Sequence, residues 1–172
     1  MWYYGGRIML YPIGIQSFEK IRTGGFVYVD KTALIYRLAV YGQYYFLSRP
    51  RRFGKSLLVS TMEAYFSGRK ELFEGLAIQS QEKEWTEYPV LHLDLTGSPY
   101  TELSQLKINL DQHLRNWESL YNVTVVSEDL SSRFKNIIDA AYRKTGQKVV
   151  ILIDEYEKPI IDNIDNPELM EQ

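Results

Sequence analysis

Apolar residues recur along this chain in two different periods, and the switches between them lay out alternating helices and strands. Leu103, Leu106, Leu110, Leu114, Trp117 and Tyr121 fall three or four apart and predict a long helix with one apolar face. Leu130, Phe134, Ile137, Ile138 and Ala141 predict another, closed by Gly146. The same spacing at Leu58, Met62, Tyr65 and Phe66 runs up to Gly68, and at Ala33, Leu34, Leu38 and Ala39 up to Gly42. A shorter helix is predicted over Gln16 to Arg22, ended by Gly24-Gly25. Period two replaces this at Val90 to Leu95, which predicts a strand with its leucines on one face. β-Branched and aromatic residues predict two further strands at Phe26 to Val29 and Tyr44 to Leu47. Val149 to Ile153 is a continuous apolar run, as in a strand buried on both faces of a parallel sheet. Strands alternating with helices imply an α/β fold.

Composition narrows the chemistry. A chain of 172 residues that is 45% hydrophobic can bury one sizeable core. With 20 basic and 22 acidic residues the net charge is -2, so any basic binding surface must be local. The absence of cysteine excludes disulfides and thiolate metal sites, and two histidines do not suggest a zinc centre. Apolar runs fall short of the roughly 20 residues that span a membrane, and Met1 to Arg7 lacks the pattern of a secretory signal. A soluble, cytoplasmic protein is expected.

Two short stretches carry candidate chemistry. Gly54-Lys55-Ser56 is the end of the Walker A phosphate-loop pattern, placed between a predicted strand and a predicted helix. Gly54 lets backbone approach a phosphate, and the first amides of the helix donate to its oxygens. Lys55 would reach the β- and γ-phosphates and Ser56 would ligate magnesium. Arg49 stands in place of the first glycine, and Pro50 offers no N-H, so the entrance to the loop is reshaped. The second stretch is the run into Asp154-Glu155, which reads as a Walker B element. Asp154 would hold magnesium, and Glu155 would polarise the attacking water. By themselves a surface Gly-Lys-Ser and an acidic strand end are common; their pairing in one chain is what favours a nucleotide site.

Tyr11-Pro12-Ile13-Gly14-Ile15, Val29-Asp30-Lys31-Thr32, Ser48 to Ser56 and Leu152 to Tyr156 together resemble the AAA-ATPase-like family, across nearly the whole chain. In that family the loop reads Arg-Pro-Arg-Arg-Phe-Gly-Lys-Ser, which matches Arg49 to Ser56; Glu157 stands where an aspartate is usual. The resemblance implies a P-loop NTPase three-layer αβα sandwich with a mainly parallel sheet, the strand at Val90 to Leu95 lying between the two motifs in sequence. It implies ATP and Mg2+ as cofactors, with Arg51, Arg52, Phe53, Gly54, Lys55, Ser56 and Leu57 around the nucleotide, Ser56 and Asp154 on the metal, and Lys55 and Glu155 catalytic. Family members are longer, commonly carry a restriction-nuclease-like C-terminal domain, and have a strand after Walker B bearing a residue that senses the γ-phosphate. On this basis residues 9–172 are expected to be the N-terminal part of such a domain, truncated after Walker B and weak in turnover, with residues 1–8 an extension before the usual start. Homo-oligomers are a further expectation, and nucleic acid would be reached only through the missing domain.

The alternatives are a nucleotide-binding switch or interaction module with little turnover, and a nucleic-acid-associated module built on Arg49, Arg51, Arg52 and Lys55. The overall charge and the lack of a second basic stripe argue against the last. Asp30 reads first as a helix cap, Asp94 as either a solvated strand end or a residue that orients Glu155 or the lytic water. His92 and His113 read as structural or surface residues, and Trp85 and Trp117 as core aromatics.

Overall fold

The computed structural model describes residues 3–4, 7–8, 10–48, 50, 52–97, 100 and 102–163. The chain divides into two units, Met1–Glu87 and Tyr88–Gln172. Among the described residues it is a mixed α/β protein whose larger sheet has two parallel strands.

The first unit opens with a short antiparallel pair, β1 (Tyr3–Tyr4) and β2 (Arg7–Ile8). Ser17 then starts α1 (Phe18–Thr23), its hydroxyl accepting from the Lys20 amide. Asp30 starts α2 (Thr32–Tyr41) from just outside it, accepting from the Thr32 amide at 2.8 Å and the Ala77 amide at 2.7 Å. Burial alone would raise the Asp30 pKa, but these two amides and the Thr32 hydroxyl hold it below the ordinary value. Thr32 in turn accepts from the Ile78 amide, which ties the start of α2 to α4 (Ile78–Gln81). Between them α3 (Lys55–Phe66) is followed by a 3₁₀ turn at Lys70–Phe73. Phe18, Ile35, Ala64, Tyr65, Leu72, Phe73 and Ile78 form the core of this unit, with Trp85 packed against it as expected.

Two expected strands do not form here. Phe26 to Val29 makes one isolated parallel bridge, Leu10 to Phe26, and Val29 is exposed. Tyr28 turns instead into the core, its ring 5.1 Å from that of Phe18. Tyr44 to Leu47 joins no ladder, and Tyr44, Tyr45 and Phe46 are exposed. The Tyr45 hydroxyl folds back to the Leu38 carbonyl at 2.8 Å. β-Propensity describes side chains suited to a half-buried sheet, and it yields a strand only where a neighbour supplies an edge.

In the second unit β3 (Val90–Asp94) pairs in parallel with β4 (Val150–Asp154), Leu91 opposite Ile151 and Asp94 opposite Asp154. The crossover is α5 (Leu103–Tyr121) and α6 (Leu130–Thr145). Leu91, Leu114, Trp117 and Ile137 are the buried centre of this unit. β4 departs from the expectation of burial on both faces: Leu152 and Asp154 are buried, whereas Ile151 and Ile153 are 42% and 47% exposed. Partners in parallel register share a face, so the helices cover the Leu91 side of that face and leave the Ile151 side open.

The α5–α6 hairpin is clamped by charge. Arg133 is 4% exposed and forks onto Glu118, Nε to Oε1 at 2.7 Å and Nη2 to Oε2 at 2.9 Å, while Nη1 reaches Asp111. Both carboxylates hold the guanidinium pKa above its ordinary value. Glu118→Ala is expected to destabilise the chain by about 3 kcal/mol in chemical denaturation, because it leaves a buried cation with only the half-exposed Asp111 as counter-charge. The double variant Glu118→Leu/Arg133→Met should recover most of that loss, and an equal loss in both would count against the clamp.

Asp129 caps α6, accepting from the Ser132 amide at 2.8 Å and the Ser131 hydroxyl at 2.6 Å. The Ser131 hydroxyl first, then the Ser132 hydroxyl and amide, hold its carboxyl at about 2. A depressed carboxylate pKa stabilises the fold above the unfolded value near 3.9, and that contribution is lost as pH falls toward 2. Thermal unfolding of Asp129→Asn should therefore show a shallower decline between about pH 4 and pH 2 than the parent chain.

Candidate functional site

The expected site residues fall in both units, and each group has its own geometry. In the first unit Arg49 and Arg51 lie outside the described residues. The Phe53 amide donates to the Pro50 carbonyl at 3.4 Å. Arg52 sits in the left-handed region at φ 68°, and Phe53 is exposed. Gly54 follows at φ 77°, a conformation in which a side chain is strained, and a β-carbon there would meet no atom within 4 Å. This is open space in front of a helix.

That helix is α3, whose first intrahelical bond runs from the Leu58 amide to the Gly54 carbonyl at 3.0 Å. The amides before it, up to Leu57, belong to the helix end, where the macrodipole places about half a positive charge. Sequences normally answer this with a capping side chain or an acid in the first turn, and α3 has neither. Lys55 is its first residue and is buried, which adds a cation to the positive end. Ser56 is half-buried beside it, and the Leu57 side chain packs toward the core of the unit. Ser60 accepts from the Phe18 amide at 2.9 Å, and Thr61 is buried, its hydroxyl donating to the Leu57 carbonyl. The middle of the helix is thus held by α1, and its first turn carries neither a capping side chain nor an acid. Such a terminus suits an anion.

In the second unit the carboxyl ends of β3 and β4 bring Asp94 and Asp154 side by side, followed by Glu155. Asp154 is buried, and its Oδ1 accepts from the Glu155 amide at 3.0 Å. Glu155 is at φ 54°, left-handed without being glycine. Its carbonyl accepts from the Lys158 amide, starting the turn into α7 (Lys158–Ile161). Asp94 is held by Thr96, whose amide and hydroxyl reach Oδ1 at 2.8 and 2.6 Å. In parallel sheets ligands bind outside the carboxyl ends of the strands, and these carboxylates stand there.

Sequence reasoning missed the tie behind this strand end. Asp162 accepts from the Tyr100 amide at 3.0 Å and pairs with Lys158 at 2.6 Å, and Asn163 donates to the carbonyls of Tyr100 and Pro159. Tyr100 is buried, and burial, then Asp94 and Asp162, push its phenol pKa up. No local pattern announces a link between residues 62 positions apart.

Magnesium can be weighed against the donors. Among the described residues no three His, Cys, Asp or Glu side chains cluster as a metal cage. Magnesium is ordinarily held by one or two protein oxygens together with phosphate and water, so a buried aspartate at a strand end and a helix-start serine are donors of the right kind.

A family described as predicted AAA-ATPase matches residues 12–172. The uncharacterized protein in the vnfD 5′ region of Azotobacter chroococcum mcd 1 is 39% identical over 159 residues, covering 92% of this chain. The chain spans about a third (31%) of that relative's length. No solved structure matches the chain. Among the described residues no helix is long and apolar enough to cross a membrane.

Backbone strain at the strand end makes a direct prediction. Glu155→Gly removes the β-carbon that a left-handed φ disfavours by about 1–2 kcal/mol, against about 0.5–1 kcal/mol of added chain entropy. Urea denaturation should find the variant as stable as the parent or up to about 1 kcal/mol more so, whereas Gly54→Ala should lose about 1–2 kcal/mol. A marked loss for Glu155→Gly would show that the side chain, not its conformation, holds the turn.

Proposed function

The chain belongs to the AAA-ATPase-like family, and from that premise we propose that it binds ATP at the start of α3 and, with magnesium, hydrolyses it. The observation that carries this reading is the beginning of α3: a left-handed Gly54, a buried Lys55 at the first helical position, and no acid or capping side chain to offset the helix dipole. A triphosphate would complement the positive charge of this helix end. The amides from Gly54 to Leu57 would donate to its oxygens, Lys55 would neutralise the β- and γ-phosphates, and Arg51, Arg52 and Phe53 would border the nucleotide. An α/β unit with a parallel sheet accords with a P-loop three-layer sandwich.

Ser56 and Asp154 would hold magnesium, which when bound draws charge from the phosphate oxygens. The chain's own part is then to place a base. Glu155 follows the buried Asp154 and is held in a left-handed turn, which fixes where its side chain leaves the backbone. It would accept the proton of the attacking water as the oxygen bonds to the γ-phosphorus and the bond to the β-phosphate oxygen breaks. ADP and phosphate leave.

Fluorescent-nucleotide titration of the purified chain, with phosphate release followed in parallel, separates the roles. Lys55→Ala is expected to weaken binding at least about tenfold, since a charge-assisted contact is lost. Glu155→Gln should leave binding nearly unchanged and lower turnover by about 10²–10⁴-fold, the range of a general base. Binding without turnover in the parent would favour a nucleotide switch, and absence of any magnesium-dependent binding would overturn the assignment.

A further inference from the structure

The second unit carries a cleft that the nucleotide reading does not use. Asn109, Gln112, His113 and Asn116 lie three, four and seven apart on α5 and so share one helical face. With Asp94 and Thr96 at the end of β3 they line a space of about 270 Å³. We propose that this cleft binds a guanidinium group, carried either by a free small molecule or by an arginine of a peptide.

The inventory of lining groups decides the ligand's chemistry. Among the described residues that line the cleft there is no lysine or arginine, and Asp94 brings an acidic side chain, so the fixed charge of the lining is negative and disfavours an anion. Thr96 occupies Oδ1 of Asp94; among the described residues Oδ2 accepts no hydrogen bond. Asn109 Oδ1 is buried and likewise has no partner among them. His113 Nε2 is 3.2 Å from the Asp94 carbonyl, which can only accept, so the ring donates there from Nε2. A buried acceptor without a donor is costly, and Asn109 Oδ1 is one, close to the open oxygen of the Asp94 carboxylate. The complementary ligand is therefore rich in donors and positively charged.

Size and shape narrow it further. The volume lies below the roughly 300–1,000 Å³ of pockets that enclose drug-sized ligands, so it suits a head group and not a nucleotide. A guanidinium offers five donors in a planar fork and can satisfy a carboxylate and an amide oxygen together. An ammonium presents three donors around a point and reaches them less well.

The test uses the full chain without nucleotide, so its outcome is independent of the ATP reading. Agmatine, the blocked tripeptide Gly-Arg-Gly, and its lysine and citrulline counterparts are titrated while ¹H–¹⁵N spectra are recorded. Saturable shifts of the side-chain amides of Asn109, Gln112 and Asn116 are expected, with the arginine peptide bound at least about tenfold more tightly than its uncharged citrulline counterpart. Asp94→Asn should weaken binding about tenfold or more, and Gln112→Lys, at an exposed position, should abolish it. Tighter binding of the tripeptide than of agmatine identifies a peptide source, and the reverse a free metabolite. No saturable shift at millimolar ligand, equal binding of citrulline, or indifference to Gln112→Lys overturns the proposal.

Discussion

Parallel strands cannot be joined by a tight turn, and this constraint organises the second unit. To lie beside β3 in the same direction, β4 must wait until the chain has returned along its whole length, and α5 and α6 make that return. The helices then have to be held against each other and against β3. Leu114, Trp117 and Ile137 do so by burial, and the Arg133 fork onto Glu118 does so by charge. An ion pair sealed between two helices adds little net stability compared with apolar packing, but it penalises any other register of the hairpin. Register matters because it sets Asp94 beside Asp154; a shift of one residue would turn every side chain to the opposite face.

The first unit solves a different problem, which is how to expose a helix start without losing it. The C-terminal half of α3 is anchored by Ala64 and Tyr65 in the core, and its middle by Ser60 and Thr61. Those contacts allow the first turn to go without the usual cap. A helix anchored elsewhere can tolerate Lys55 at its positive end, where an isolated helix would fray.

What could be read from the chain beforehand follows from how local each feature is. Helices α3, α5 and α6 were legible because their period and their apolar stripes, and for α3 and α6 a terminal glycine as well, lie within one stretch of sequence. The strands expected at Phe26 to Val29 and Tyr44 to Leu47 were not, because a strand depends on a partner that local composition does not reveal; Tyr28 and Tyr45 found other uses. Val149 to Ile153 shows the same limit from the other side. An apolar run announces a strand, but only the reach of α5 and α6 decides that Ile151 and Ile153 stay open. At the candidate site Gly54, Lys55, Asp154 and Glu155 could be named from motif spacing, and Asp94 as one of two readings, while the register that sets Asp94 opposite Asp154, the Tyr100–Asp162 tie and the amide face of α5 could not. Each depends on register or on a contact between distant positions, and polar residues three and four apart pass for an ordinary solvent face.

Backbone strain supplies an independent reason for attending to the two motif regions. Four non-glycine residues among those described have left-handed φ: Arg52, Trp85, Asn122 and Glu155. Asn122 ends α5, where asparagine tolerates that conformation and its amide still reaches the Glu118 carbonyl. Trp85 gains ring contacts in return, 5.2 Å from Phe73 and 5.9 Å from Tyr65. Arg52 and Glu155 have neither excuse, since Arg52 is exposed and Glu155 is only half-buried. Such strain persists where the surroundings over-determine the backbone, as the Asp154 carboxylate and the Lys158 amide do on either side of the Glu155 peptide, and such positions concentrate at functional sites. Here they flank the loop before α3 and the acidic end of β4, the same two places that motif spacing selects on unrelated grounds.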